Sequence, residues 1–249
     1  MYFKEIESLS TETISFIVQN LECTNEEPIV GDIPAPNSIE IKRRAKDVFA
    51  SQNRAVTRQD YISTVYSMPP KFGAIKRCNI VRDHDALKRN LNLYVVSESA
   101  RGILAKTNDS IKQNLKVWLA KNKMINDTID ILDARILNFG IDFSVVGDVN
   151  TNRYEILESA TRALRKHFSG IPDVSERFYI SDVYSVLNDV VGVVDVIDVE
   201  IRQLFGGVYS DLAFDVDGNI SIDGRFIKIP EDMIWEVRFP HSDIRGVVK

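Results

Sequence analysis

Only two of the 249 residues are cysteine, Cys23 and Cys78. They are too few and too far apart in sequence to form a disulfide framework, and they favour a reducing site of synthesis. The three histidines, His84, His167 and His241, carry no cysteine or histidine partner at the spacing of a zinc site, so no metal is expected of them. Long apolar runs are also missing. The strongest, Val190 to Val194, stops at Asp195, far short of the roughly 18 residues that cross a bilayer. Met1-Tyr-Phe-Lys-Glu-Ile has no basic end leading into an apolar core, so no secretory signal is expected there. Nor is there a surplus of positive charge: 31 Lys and Arg against 36 Asp and Glu leave a net charge of −5. A general affinity for nucleic acid or an acidic membrane is therefore not expected.

The residue patterns of common catalytic sites are absent as well. There is no Gly-x-Ser-x-Gly and no phosphate-binding loop, and Gly206-Gly207 alone reads as a turn. Asp215, Asp217 and Asn219 give half of a calcium loop, but Ile220 and Phe226 occupy the positions that need Gly and Glu. Asp130 with Asp133, and Asp195 with Asp198, lie three apart on expected strands and should point to opposite faces, which separates each pair as acid and base. Lys42, Arg43, Arg44, Lys46, Arg54 and Arg58 form a basic cluster without interleaved aromatics, better read as a solvated helix face than as a nucleic-acid platform. No catalytic residue, cofactor or metal ligand is expected.

What is present is the composition of a folding protein, 44% hydrophobic and 27% charged, enough for one large core or two modest ones. Residues 1–22 scatter apolar side chains without a clean period and read as an arm. Pro28, Gly31, Pro34 and Pro36 make residues 24–38 a linker. From Ser38 to about Gln52, Ile41, Ala45, Val48 and Phe49 fall on one helical stripe. Thr57 followed by Asp60 is a capping pair opening a short helix, with Tyr61, Ile62, Val65 and Tyr66 on its apolar face, that Pro69 and Pro70 end. Strands over 75–82 and 91–96 suggest a hairpin. Asn108 or Asp109 caps the next helix, with Trp118 as a core anchor. Strict alternation from Leu137 to Val145 gives the clearest strand, one face buried. Asn152 with Glu155 caps a helix through Leu157, Ala160, Leu164 and Phe168, and Gly170 and Pro172 end it. Ser181 is the expected cap of a shorter helix, followed by Gly192 and a strand over 193–202 with Ile197, Val199 and Ile201 on one face. That order repeats Thr57 through Gly73 to Arg82, an offset of about 125 residues that suggests a weak internal duplication.

From Tyr209 the chain alternates apolar residues around Asp217-Gly218 and Asp223-Gly224, the signal of a β-meander, with Trp235, Val237 and Phe239 as a last strand. The expected fold class is α+β, with short helices packed on mixed or antiparallel sheets, an N-terminal helical arm and a C-terminal β-meander. The expected units are an arm and linker over 1–37, a first α/β unit over 38–128, a second over 129–207 and a β-rich appendage over 208–249.

One stretch adds a likeness to these patterns. Arg54, Ala55, Val56, Thr57, Asp60 and Tyr61, preceded by Pro36, Ser38, Ile39 and Ala45 and followed by Pro70 and Gly73, resemble the baseplate J-like family of contractile-tailed phages and related injection machines. The likeness is to the C-terminal part of the T-even type of baseplate wedge subunit, close over the motif and looser to about residue 205. Many members place a Pro-Gly turn where this chain has Asp83 to Asn90. The resemblance implies a non-enzymatic structural component of a phage tail baseplate, assembled in the host cytoplasm and carried in the virion. It implies partners that are a second copy, as a homodimer, and other wedge proteins, with no small-molecule substrate, and it makes the motif structural. The abrupt start of the chain then suggests a piece of something longer. Arg54 is expected to brace the turn before Thr57 through its guanidinium. The alternative from another class is a carbohydrate- or receptor-binding module of a phage tail, with Tyr209, Phe226 and Trp235 as stacking candidates. A glycoside hydrolase would need two carboxylates facing one cleft, and the sequence names no such pair.

Overall fold

The computed structural model describes residues 10–20, 38–51, 54–83, 90–99 and 102–249. The arm before Ser10, the linker over 24–37 and the tip of the first hairpin lie outside the described residues. Helix α1 spans Thr11–Asn20 and α2 spans Ser38–Ser51. The stripe on α2 faces solvent: Ile41, Val48 and Phe49 are 52%, 41% and 85% exposed. An amphipathic helix has formed without a described partner for that face.

The first sheet is built around a long strand. Helix α3, Arg58–Tyr66, is followed by a single 3-10 turn at Pro70–Phe72, then strands β1, Arg77–Arg82, β2, Asn90–Glu98, and β3, Leu104–Ala105. Helix α4, Asp109–Ala120, leads to β4, Thr128–Asp133. β2 pairs antiparallel with β1, as the hairpin reading expected, but parallel with β4, from Asn90 opposite Thr128 to Val95 opposite Asp133. α4 is the crossover such a pairing requires. Asn108 caps it by accepting from the Ser110 amide at 2.8 Å. Tyr61, Val65, Leu93, Val95, Leu115 and Leu119 close the core between helices and sheet, and the half-buried Trp118 packs on it and donates to the Thr64 carbonyl. Gly73 has φ +109, and a Cβ there would sit 2.6 Å from Ile111, so both backbone and packing require glycine.

The second sheet repeats the plan. Its strands and helices run β5, Arg135–Gly147, α5, Arg153–His167, β6, Phe178–Tyr179, α6, Ile180–Asn188, and β7, Val193–Leu204. After them come α7, Val216–Asn219, β8, Phe226–Ile227, β9, Met233–Glu236, α8, Pro240–Asp243, and β10, Ile244–Val248. β5 pairs antiparallel with β7 and parallel with β9 and β10, which share its other side. Leu137, Phe139, Ile141, Phe143 and Val145 meet Ala160 and Leu164 of α5 and Val183 and Leu187 of α6. In both sheets a nine-residue helix and a glycine at positive φ precede the antiparallel neighbour of the central strand, but that neighbour comes before the central strand in the first sheet and after it in the second, so the shared order is local.

Several expectations change here. The fold is α+β on mixed sheets, but the C-terminal stretch is not a meander: β8 pairs with β6, while β9 and β10 both join β5. Local alternation marks strands without naming their partners, and a thirteen-residue central strand recruited two short parallel ones. Asp217-Gly218 is no hairpin turn. It lies in α7, capped by the Asp215 side chain accepting from Gly218 N, whereas Gly224 at φ +67 does make the second expected turn. Ser181 is not a cap. It lies inside α6, whose N-cap Tyr179 makes no side-chain capping bond, and Ser181 donates its amide to the Arg225 carbonyl. α5 is capped by Asn152 accepting from Tyr154 N. β5 is buried on both faces over 137–141, because Asn138 and Gly140 are covered as well as their neighbours.

β7 also carries two bulges. Ser144 pairs with Asp198 but Val145 with Val196, leaving Ile197 extra, and Val146 opposite Asp195 followed by Gly147 opposite Val193 leaves Val194 extra. Val196 takes the inward place that strict alternation gave to Ile197, which is 46% exposed. The same slip sets Asp195 and Asp198 opposite Val146 and Ser144, two apart on β5, so they share a face instead of opposing.

Candidate functional site

The motif residues form a joint. Asp60 Oδ2 accepts from the amides of Val56 at 3.2 Å and Thr57 at 2.8 Å, and the Asp60 amide donates to Thr57 Oγ1 at 3.2 Å. This is the reciprocal cap expected of a Thr followed three residues later by an acid. The Thr57 backbone bond, aided by those from the Thr57 hydroxyl and the Val56 amide, holds the Asp60 carboxyl below its ordinary value against the opposing effect of burial. Ala55 is fully buried; its amide donates to the Asn122 carbonyl at 3.0 Å and it bridges to Lys123 in parallel, tying the motif to the loop after α4.

Tyr61 reaches the same loop. Its hydroxyl donates to the Asp127 carboxylate, and burial first, then that carboxylate, push the phenol up to about 12. Lys123 Nζ in turn donates to the Asp127 carbonyl at 2.6 Å. Arg58 donates to Asn79 Oδ1 on β1, and Asn79 Nδ2 donates to the Glu231 carbonyl at 2.9 Å. Arg54 is the exception to the expected bracing. It is exposed, and among the described residues its guanidinium makes no hydrogen bond; Asp60 braces the turn instead.

Beside this joint opens a groove of about 590 Å³, with Tyr61, Ile80 and Leu91 among its lining residues. Val56 and Met124 stand on it 59% and 47% exposed, and Arg58, Arg82, Asp127 and Glu231 supply charge of both signs. An open apolar groove carrying both signs of charge suits an extended segment of another protein, whose side chains fill it while polar groups meet its charges. Of the six motif residues, Val56 and Tyr61 line it, and Ala55, Thr57 and Asp60 hold them in place. The partners Asn79, Asp127 and Glu231 carried no signal in the sequence, because the first two meet residues 21 and 66 positions away and Glu231 meets Asn79 at 152.

The other sequence candidates are dispersed. Trp235 is buried against Phe178, ring centroids 4.9 Å apart, and its indole N–H donates to the Glu176 carbonyl. Phe226 lies under the Arg177 guanidinium beside Tyr179, and Tyr209 donates to Asp243 at 2.7 Å. These aromatics sit in three separate contacts and form no shared stacking platform. Asp133 receives the Thr107 amide and Lys112, while Asp130 receives Asn90. The Glu236 carboxyl, raised by burial, takes Asn138 Nδ2 at 2.9 Å and the Leu104 amide at 3.1 Å, linking the two sheets. Among the described residues no group of three or more His, Cys, Asp and Glu is placed to hold a metal, and no helix is long and apolar enough to cross a membrane.

No protein-family model matches the chain, and no curated protein matches it either. Its fold is similar to that of a chain in the cryo-EM structure of the anti-feeding prophage (AFP) baseplate, 6-fold symmetrised, with TM-score 0.51 and 12% sequence identity. The match covers 88% of this chain and 43% of that one, so this chain spans less than half the length of the baseplate chain whose fold it shares.

Proposed function

We propose that this chain is a structural, non-enzymatic component of a phage-type contractile-tail baseplate: a wedge subunit, of the baseplate J-like kind, that binds neighbouring wedge proteins and itself. Three features support the reading: the motif from Arg54 to Tyr61, the fold shared with a baseplate chain, and the motif's geometry as a rigid joint with a groove beside it. The groove carries the functional part. It is the docking place for an extended segment of a neighbouring tail protein, with Val56 and Met124 as apolar contacts and Arg58 and Glu231 as polar ones. Self-association has a homodimer as its smallest assembly. The place of action is the tail baseplate of the virion, reached by assembly in the host cytoplasm.

The test is composition of the particle. Contractile tails purified from the producing cells should contain the chain in fixed proportion to the other tail proteins, and Met124→Glu should lower its incorporation while its melting temperature stays unchanged. Tails that lack the chain would overturn the reading.

A further inference from the structure

We infer that copies of this chain join head to tail, the solvent-facing stripe of α2 on one copy seating on the tip of the second sheet of the next. This deepens the self-association proposed above by naming its surfaces, and it can fail separately from it.

Among the described residues, α2 and the tip of the second sheet each expose a group of apolar side chains. On α2, Ile41, Ala45, Val48 and Phe49 share one stripe, with Lys42 and Lys46 exposed beside it. The helix sequence carries four basic residues against two acidic ones. At the second sheet, the turn after β5 and the turn before β7 are joined by the Asp148 amide donating to the Gly192 carbonyl at 2.9 Å. That link sets Val149, 97% exposed, near Val191, 93% exposed, and the bulge residue Val194 adds a third, 66% exposed. Asp148, Asp189 and Asp195 are exposed around them and outnumber Lys249, which is exposed beside Gly147.

The two faces match in kind and oppose in charge. Apolar groups of this size, held outward and rimmed by charge, are characteristic of association sites. Within one chain they do not cover each other, since α2 packs chiefly against α3 and both sets of side chains remain exposed. Two α2 stripes laid on one another would bring basic faces together, and two tips would bring carboxylates together, so both like-on-like contacts repel. Pairing α2 with the tip satisfies both. The tip is also preorganised: the Thr151 amide donates to the Asp148 carbonyl at 3.1 Å and the Val193 amide to Val190 at 3.1 Å, so little order is lost on contact. Such a contact uses a different patch on each copy and leaves one of each unused at the ends, the geometry that grows into rings or filaments.

Light scattering of the wild type should show mass rising with concentration past two copies of the 28.3 kDa chain. Phe49→Glu and Val191→Lys should each remain single chains alone, and mixing them should give a one-to-one dimer that grows no further, because each supplies the face the other lacks. Circular dichroism checks that both stay folded, and Lys46→Glu with Asp195→Lys replaces either pair member that does not. A wild type that stays single overturns the inference. So does a dimer broken by Phe49→Glu but untouched by Val191→Lys, which would mean a twofold helix contact, or a mixture that remains single chains.

Discussion

The hydroxyl of Tyr61 on α3 donates to the carboxylate of Asp127, 66 residues further on and just ahead of β4. This bond closes one side of the motif joint, and it ties α3 to the start of β4. Removing the hydroxyl in Tyr61→Phe leaves a carboxylate without its phenol donor and should destabilise the fold by about 1.5–3 kcal/mol, read as a lower denaturant midpoint. The pH dependence has a definite sign. A phenol raised to about 12 in the fold contributes stability that is complete below its unfolded value near 10 and lost as pH rises toward 12. Wild-type stability should fall across that window, and Tyr61→Phe should show less of the fall.

The cap gives a second expectation with the opposite sign. Thr57→Ala should destabilise by about 1 kcal/mol. Asp60→Ala should do so by a similar amount, since its carboxylate serves two amides. Because the Asp60 carboxyl lies below its ordinary 3.8, its contribution is present above that pH and lost as pH falls through and below it. Melts at neutral pH and in mild acid check both parts: unchanged midpoints in the two variants would remove the capping account.

Arg54→Lys should leave the melt within about 0.5 kcal/mol of wild type, because the exposed guanidinium braces nothing among the described residues. A loss of more than that would restore the brace expected from the sequence.

Much of the helix capping and the clearest strand were legible because their signals are local. Thr57 and Asp60 interact across one turn, Asn108 and Asn152 cap the helices they precede, and the strict alternation of β5 follows from a period of two. The rest depended on partners that local pattern does not encode. β9 falls at the start of the strand expected over Trp235 to Phe239, β10 carried no strand reading, and the parallel pairing of both with β5 is set by which edge of a long strand is unoccupied after folding. Ile197 fits an unbroken period, and only pairing with β5 shows that it is the extra residue in a bulge. The groove was invisible for the same reason, as its walls come from residues between Val56 and Glu231.

That pairing predicts the fate of a shortened chain. Ending it at Gly207 removes β9, β10 and Trp235, which closes one end of the aromatic cluster with Phe168 and Phe178. β5 would lose both parallel neighbours, so the shortened chain should show no cooperative melt for the second core and rapid proteolysis within residues 135–207. A chain that melts as sharply as wild type would contradict the sheet topology.

Gly73→Ala should destabilise by more than about 1 kcal/mol, as the added methyl meets Ile111 at a positive φ that alanine disfavours. Thermal melts of Gly73→Ala beside Gly170→Ala, where a Cβ meets nothing within 4 Å, separate this from a general loss of glycine.

The central claim is that the groove beside the motif holds a segment of a neighbouring tail protein. A photo-crosslinking residue placed at Met124 in assembled tails, followed by mass spectrometry, addresses it directly. The account expects a crosslink to one defined segment of another baseplate protein, lost when Val56→Glu is added. Crosslinks confined to the same chain, or spread over many proteins without a preferred segment, would contradict it.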